Sequence, residues 1–146
     1  MDLSGLSINL ATVRVQWNVR EAVEACRRHG IGAVDPWRDQ VAAIGLDTCV
    51  RAIEDNGMRV TGYCRGGMFP AADAAGRQAA LDDNRRAIDE AVALGAECLV
   101  IVAGGFPPGS RDIIAARQMV ADGLAATLPY ARRCNMRLAI EPLPPM

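Results

Sequence analysis

The stretch of sequence that decides the fold is Met136-Arg137-Leu138-Ala139-Ile140-Glu141-Pro142-Leu143. Its first five residues are compatible with a β-strand, the carboxylate of Glu141 follows directly, and Pro142 then ends the strand because proline has no N–H for a sheet ladder. A parallel strand that ends on an acid places the acid at the carboxyl edge of the sheet, where α/β proteins hold their functional groups. We therefore expect Glu141 at a functional edge, with the upstream chain as its scaffold.

Upstream of this strand, the chain repeats a unit in which a helix ends and a short apolar strand follows. The residues predicted to end the helices are Gly30, Gly57, Gly95 and Asn135, because glycine and asparagine accept the left-handed backbone that stops a helix. The predicted strands are residues 6–10, 31–34, 58–63 and 97–102 and the strand from residue 136. This alternation predicts an α/β fold with a right-handed parallel arrangement, in one domain that spans residues 1–146.

Side-chain caps are predicted at the start of two helices. Asn18 precedes one apolar run at helical spacing, and Ser110 precedes another that continues through Asp112. Pro129 is expected to kink or restart the second helix, because it cannot donate the hydrogen bond that a helix interior needs.

Two architectures fit four such units and a fifth strand. One is an open doubly wound sheet of flavodoxin type, and the other is the first half of an eight-stranded (β/α)8 TIM barrel, which needs about 250 residues. The open sheet predicts an acidic pair after the first strand or a phosphate loop. The first strand ends Asn9-Leu10-Ala11 instead, and the sequence has no G-x-G-x-x-G or Walker motif. The loops therefore favour a partial barrel that contains the first four βα units plus strand five.

Composition excludes several classes of function. All 16 residues counted as Lys or Arg are arginine, so a Schiff-base or pyridoxal mechanism has no lysine. His29 is the single histidine, which rules out a histidine-rich metal cluster within this sequence. The net charge of −1 gives no reason to expect nucleic acid as a partner.

Five cysteines without a C-x-x-C pair indicate reduced thiols in a cytoplasmic protein. We also see no signal peptide, and no apolar run approaches the ~20 residues of a membrane helix, so no membrane partner is expected.

In a barrel, the residues that carry function lie at the carboxyl ends of the strands. Those positions hold Asn9, Thr12, Asp35, Trp37, Cys64, Arg65, Gly104, Gly105 and Glu141. The set is polar and glycine-rich with one aromatic ring, which suits a small polyhydroxylated substrate such as a sugar or polyol. Glu141 is a candidate to bind a divalent metal or to abstract a proton from a carbon next to a carbonyl. One carboxylate makes a poor metal site, so its partner ligands must come from beyond Met146 or from another chain.

Four segments together resemble the sugar phosphate isomerase/epimerase family, the xylose isomerase-like barrels. The segments are Asp35-Pro36-Trp37-Arg38, Tyr63-Cys64-Arg65-Gly66-Gly67-Met68-Phe69-Pro70, Val102-Ala103-Gly104-Gly105 and Ala139-Ile140-Glu141-Pro142-Leu143. The resemblance implies a (β/α)8 barrel that binds a divalent metal (Mn, Mg, Co or Zn), with Glu141 as a ligand and a proton moved between adjacent carbons of a ketose or aldose. Among the residues at the predicted strand ends, we expect substrate contacts at Asn9, Trp37, Cys64, Arg65 and Gly104.

The resemblance also implies that the remaining ligands, an aspartate, a histidine and a second glutamate, come from strands six to eight. This sequence lacks them, so we expect a truncated chain with little or no isomerase activity of its own. Where the family often carries a histidine or another polar residue after Glu-Pro-Leu, this chain has Pro144-Pro145.

Two alternatives remain beside the enzyme. A non-catalytic half-barrel would bind a small polyol or pair with another half, and a homo-oligomer would then cover the exposed edges of strands one and five. A DNA-repair nuclease on the same barrel needs several histidines and a basic face, which this sequence lacks. The choice among sugar isomerase, epimerase, hydroxyacid isomerase and inosose dehydratase stays open.

Overall fold

The computed structural model describes residue 3 and residues 5–141. Its strands are β1 (Ser7–Asn9), β2 (Ala33–Asp35), β3 (Arg59–Val60), β4 (Tyr63–Gly67), β5 (Cys98–Val102) and β6 (Arg137–Glu141). Its helices are α1 (Val19–Arg28), α2 (Arg38–Ile44), α3 (Leu46–Asp55), α4 (Ala74–Ala93) and α5 (Ile113–Arg133), and a short 3₁₀ helix spans Leu10–Val13. The predicted order of helical segments and strands is observed, with α2 and α3 consecutive and β3 followed directly by β4.

The chain divides into two compact units. The first contains the chain up to Cys64 together with Glu90–Cys98, and the second contains Arg65–Asp89 and the chain from Leu99. In the first unit, β1, β2 and β3 form a parallel sheet in that order, with Asn9 opposite Asp35. The other sheet has the order β4-β5-β6. The prediction of a single domain stays a prediction.

The predicted helix stops are confirmed by their backbone angles. Gly30, Gly57 and Gly95 have φ values of 72°, 59° and 65°, and Asn135 has a φ of 53°. Each residue thus adopts the left-handed conformation directly after a helix, which turns the chain toward the next strand.

The third predicted strand is wrong in its extent. Residues 58–63 form β3 and the first residue of β4, with a break at Thr61-Gly62, and Cys64 and Arg65 lie within β4 and not after a strand. A Cβ at Gly62 would lie 3.1 Å from Oδ1 of Asp35, a tight contact that glycine avoids. The strand continues past the break because the N–H of Cys64 donates to the carbonyl oxygen of Pro36 at 3.1 Å.

One predicted cap is confirmed and the other is wrong. Asn18 caps α1 through a capping box with Glu21, in which each side chain accepts from the other residue's N–H. Asp112 caps α5 in place of Ser110, since its Oδ1 accepts from the N–H groups of Ile114 and Ala115 at 3.0 Å. Ser110 lies two residues before this cap, and its Oγ accepts from the N–H of Asp112 at 3.2 Å.

Pro129 lies within α5. The helix continues as one element to Arg133, so it does not restart at Pro129.

Candidate functional site

Asn9 and Trp37 form a hydrogen-bonded pair at the ends of β1 and β2. The Nε1–H of Trp37 donates to Oδ1 of Asn9 at 2.9 Å, and the same oxygen accepts from the N–H of Ala11 at 3.0 Å. The parallel register aligns Asn9 with Asp35, so a residue two positions past Asp35 comes within reach of the Asn9 side chain. The structure therefore brings together two residues that the sequence predicts as substrate contacts.

Arg14 and Asp39 complete the surroundings of this indole ring. The guanidinium carbon of Arg14 lies 5.1 Å from the centroid of the Trp37 ring, and its Nη1 lies 3.0 Å from Oδ2 of Asp39. Sequence reasoning missed both residues. The available signal was their position, since Arg14 lies in the connection that follows Asn9 and Asp39 in the first turn of α2 after Trp37. Because both charges are exposed, the ion pair orients the ring more than it stabilises the fold.

Cys64 lies beside this pair through its backbone. It forms a parallel bridge with Trp37, and its residue surface is 3% exposed. Its predicted role as a pocket-lining residue stays a prediction.

A second group of predicted residues lies in the other unit, where β4 and β5 end. Arg65 is exposed on β4, and Gly104 follows β5 with a φ of 94°. A Cβ at Gly104 would lie 3.1 Å from the Cα of Met68, and the N–H of Met68 donates to the carbonyl oxygen of Val102 at 2.8 Å. Met68, which directly follows β4, therefore connects the end of β4 to the end of β5 through these two contacts.

Glu141 is the last described residue and ends β6, as the sequence predicts. Its side chain is exposed. Among residues 3 and 5–141, no group of three or more His, Cys, Asp or Glu side chains could hold a metal ion. The described residues therefore do not fit a complete divalent metal site, and Glu141 offers one carboxylate ligand. The Pro144-Pro145 departure lies outside the described residues.

A part-buried polar cluster begins at Arg38, the residue after Trp37, and sequence reasoning missed it. Arg38 forms a bidentate ion pair with Glu90: its Nε donates to Oε2 at 2.8 Å, and its Nη2 donates to Oε1 at 3.1 Å. The hydroxyl of Tyr63 donates to Oε2 of Glu90 at 2.9 Å. Burial and this carboxylate raise the pKa of Tyr63 far above its ordinary value, so the phenol stays protonated at physiological pH. The cluster anchors the start of α2, where Trp37 emerges.

A groove of about 430 Å³ lies elsewhere in the first unit, between the end of α3, β3 and the segment that leads into β5. It contains none of the predicted site residues. It lies where the strands begin, whereas functional groups of parallel α/β folds lie where strands end.

Comparison with protein families identifies the fold. Residues 23–146 match the family model described as a xylose isomerase-like TIM barrel. The chain belongs to this family. The predicted resemblance is thus confirmed, and the fold is a partial (β/α)8 barrel whose described strands form two three-stranded sheets and no closed ring.

Solved structures of the same fold include three that are informative. Protein SMc04130 from Sinorhizobium meliloti 1021 is 62% identical, with a TM-score of 0.96 over 99% of this chain and 52% of that chain. A D-psicose 3-epimerase solved in the presence of D-fructose is 17% identical, with a TM-score of 0.77 over 94% of this chain and 52% of that one. The IOLI protein with a bound zinc atom is 16% identical, with a TM-score of 0.79 over 92% and 50%. This chain spans about half the length of each.

No curated protein matches the sequence. Within the part of the chain that the structure describes, no helix combines the length and apolar character needed to cross a membrane.

Proposed function

We propose that the chain belongs to a metal-dependent sugar or sugar phosphate isomerase or epimerase that moves a proton at a carbon next to a carbonyl. The observation that carries this proposal is the pairing of Asn9 with Trp37 at two adjacent strand ends. It holds an aromatic face and an amide in fixed positions, which is the chemistry that a polyhydroxylated ligand needs. Membership of the xylose isomerase-like family and the likeness in fold to a D-psicose 3-epimerase support the same reaction class.

Five residues are proposed to contact substrate. Asn9 forms hydrogen bonds with sugar hydroxyls, and the Trp37 ring packs on a C–H face. Arg65 binds an anionic or hydroxyl group. Cys64 lines the pocket, and Gly104 lets the substrate approach the backbone. Asn9 ends β1, Trp37 and Gly104 follow β2 and β5, and Cys64 and Arg65 lie within β4.

Glu141 is the proposed acid–base residue and one ligand of a divalent metal (Mn, Mg, Co or Zn). Its carboxylate takes the proton from the carbon next to the carbonyl, and the C–H electron pair becomes the double bond of an enediolate as the carbonyl pair moves onto oxygen. Delivery of a proton to the opposite face of the same carbon, by a second acid–base group outside the described residues, is epimerisation. Return to the neighbouring carbon, with the hydroxyl proton shifted, is isomerisation. The other metal ligands lie outside the described residues.

Tryptophan fluorescence tests substrate binding, because the sequence has only Trp17 and Trp37. We expect D-fructose to change the emission of the Trp17→Phe variant, in which Trp37 is the remaining indole. The matched variant Trp37→Phe keeps Trp17, which is 41% exposed, and should show no response. Asn9→Ala in the Trp17→Phe background should weaken binding roughly tenfold, since it frees the indole ring. An equal response from both tryptophans, or none from Trp37, would contradict the proposal.

A non-catalytic half-barrel that binds a small polyol, or pairs with another half, is the second candidate. The observation that favours it is the absence of a three-donor metal cluster among the described residues, together with exposed Ile140 on the edge strand β6. A binding module leaves the proton on the carbon next to the carbonyl in place, so a bound ketose never exchanges that proton with D₂O.

A further inference from the structure

Asn84 in α4 forms a complete hydrogen-bonded clamp on the backbone of Gly67. Its side chain is 0% exposed, and its Oδ1 accepts from the N–H of Gly67 at 2.6 Å. Its Nδ2 donates to the carbonyl oxygens of Gly67 and Ala80, each at 2.8 Å. The amide thus pairs with both polar groups of one strand residue, as a neighbouring strand would.

The clamp lies next to a strained turn. Gly67 has a φ of 97°, and a Cβ there would overlap the carbonyl group of Val102. Met68 follows with a φ of 56°, a conformation that costs a non-glycine residue about 1 kcal/mol or more. Such strain persists only where the surroundings hold the backbone in place, and it concentrates at functional sites.

A second anchor follows on the other side of Met68. Phe69 is 2% exposed and packs on Gly123 of α5, where a Cβ would overlap the Phe69 ring. Met68 itself remains 47% exposed between these two buried anchors. Its backbone packs against Gly104, one of the predicted substrate contacts. The surroundings therefore hold Met68 in a fixed place while they leave its side chain accessible.

We propose that Asn84 is a positioning residue that presents Met68 as an apolar contact for the C–H face of a sugar at the ends of β4 and β5. The inference rests on the proposed function for its substrate class. Asn84 acts through Gly67 and touches no substrate. Met68, a flexible thioether side chain, then contributes to which ketose fits.

Methyl NMR with ¹³C-labelled methionine tests the positioning without any ligand. Met68→Leu assigns the Met68 signal among the six methionines. We expect Asn84→Ala to move or split the Met68 signal, while Met58 and Met136, which are each 7% exposed, report an unchanged fold. Asn56→Ala is the matched control, because Asn56 also donates to the carbonyl four residues earlier, Ala52, at 2.8 Å. It should leave Met68 unchanged. An unchanged Met68 signal in Asn84→Ala overturns the proposal.

Asn84→Asp adds a reversible test that does not depend on how the alanine variant folds. A carboxylate at this buried place keeps the bond from the Gly67 N–H but faces two carbonyl oxygens, which raises its pKa. Lowering the pH restores a donor, so the Met68 signal should return toward its wild-type position. A Met68 signal that does not respond to pH in this variant contradicts the proposal.

Titration with D-fructose tests the proposed function separately from the positioning role of Asn84. We expect it to shift the Met68 signal of the wild type and to bind roughly tenfold more weakly to folded Asn84→Ala. Equal affinity in a folded Asn84→Ala variant would make Asn84 merely structural and overturn its positioning role. If D-fructose leaves the Met68 signal of the wild type unchanged, this result contradicts the proposed function and the sugar contact at Met68. The ligand-free spectra then decide whether Asn84 positions Met68.

Discussion

Single residues show how burial changes the effect of one hydrogen bond. Both tyrosines donate a hydroxyl hydrogen bond to a carboxylate, Tyr63 to Glu90 at 2.9 Å and Tyr130 to Asp89 at 2.7 Å. Tyr63 is 0% exposed and shares Glu90 with Arg38, whereas the Tyr130 pair lies at the surface.

We predict that Tyr63→Phe lowers the free energy of unfolding by about 1–2 kcal/mol, because it leaves an oxygen of the part-buried Glu90 carboxylate with one donor fewer. Tyr130→Phe is the matched control, for which water replaces the hydroxyl and a change below about 0.5 kcal/mol is expected. Urea unfolding of both variants provides the measurement. Equal losses in unfolding free energy would mean that the hydrogen bond of Tyr63 to Glu90 contributes no more to stability than the surface pair of Tyr130 and Asp89.

The thiol of Cys49 is expected to make stability depend on alkaline pH. Its side chain is 0% exposed, and burial raises its pKa from 9.0 to about 11. Below pH 9 the thiol is neutral in both the folded and unfolded chains, so its contribution is fully present. Between pH 9 and 11 only the unfolded chain ionises, and stability falls by about 1 kcal/mol per pH unit.

The pH dependence of Cys49 is measured by urea unfolding between pH 8 and pH 10.5. Because Tyr63 also titrates late, the informative quantity is the difference between the wild type and Cys49→Ala. The variant should be less stable at pH 8 and lose less as the pH rises. Parallel curves for the two proteins would show that Cys49 ionises alike in the folded and unfolded chains.

At the start of α5, the distance of a side chain from the first helical turn decides which residue caps the helix. Asp112 accepts from two N–H groups of that turn, and Ser110 accepts from none of them. We predict that Asp112→Ala costs about 1 kcal/mol of unfolding free energy, since it also removes a negative charge from the helix N-terminus. Ser110→Ala should cost clearly less. Thermal unfolding of the two variants distinguishes these assignments, and the reverse order would restore Ser110 as the cap.

At the level of the complete chain, the described residues supply one strand-end carboxylate and no complete metal site. We predict that purified residues 1–146 do not catalyse deuterium exchange into D-fructose in D₂O, with or without Mn²⁺. Proton NMR of the sugar provides the measurement. Metal-dependent exchange that Glu141→Gln abolishes would show that this chain holds a working site.

The Sinorhizobium meliloti protein, which is 62% identical and of which this chain covers 52%, is the matched comparison for that experiment. Exchange by that protein under the same conditions supports the enzyme proposal for this chain. Ketose binding without exchange in both proteins supports the polyol-binding half-barrel.

Predictions from the sequence succeeded where the cause is local. Gly30 and Asn135 end helices because of their own backbone preferences, and Asn18 with Glu21 caps α1 through residues three positions apart. The last predicted strand reaches Glu141 as β6. Predictions failed where the cause was a neighbour distant in sequence. The strand breaks at Thr61-Gly62, where Gly62 packs close to Asp35, and no local pattern shows that contact.

For this protein, the order of helices and strands and the strand-end positions of Asn9, Trp37 and Glu141 follow from the sequence, because periodicity, helix stops and turn chemistry act over a few residues. The family follows from the segments that resemble the xylose isomerase-like barrels and from the match over residues 23–146. The folded structure alone revealed the bond between Asn9 and Trp37, the ion pair of Arg14 and the clamp of Asn84 on Gly67. These contacts join residues 17 to 28 positions apart. They form only when parallel strands set the register and a helix packs on them, so side-chain geometry at the strand ends is a property of packing and not of any short segment.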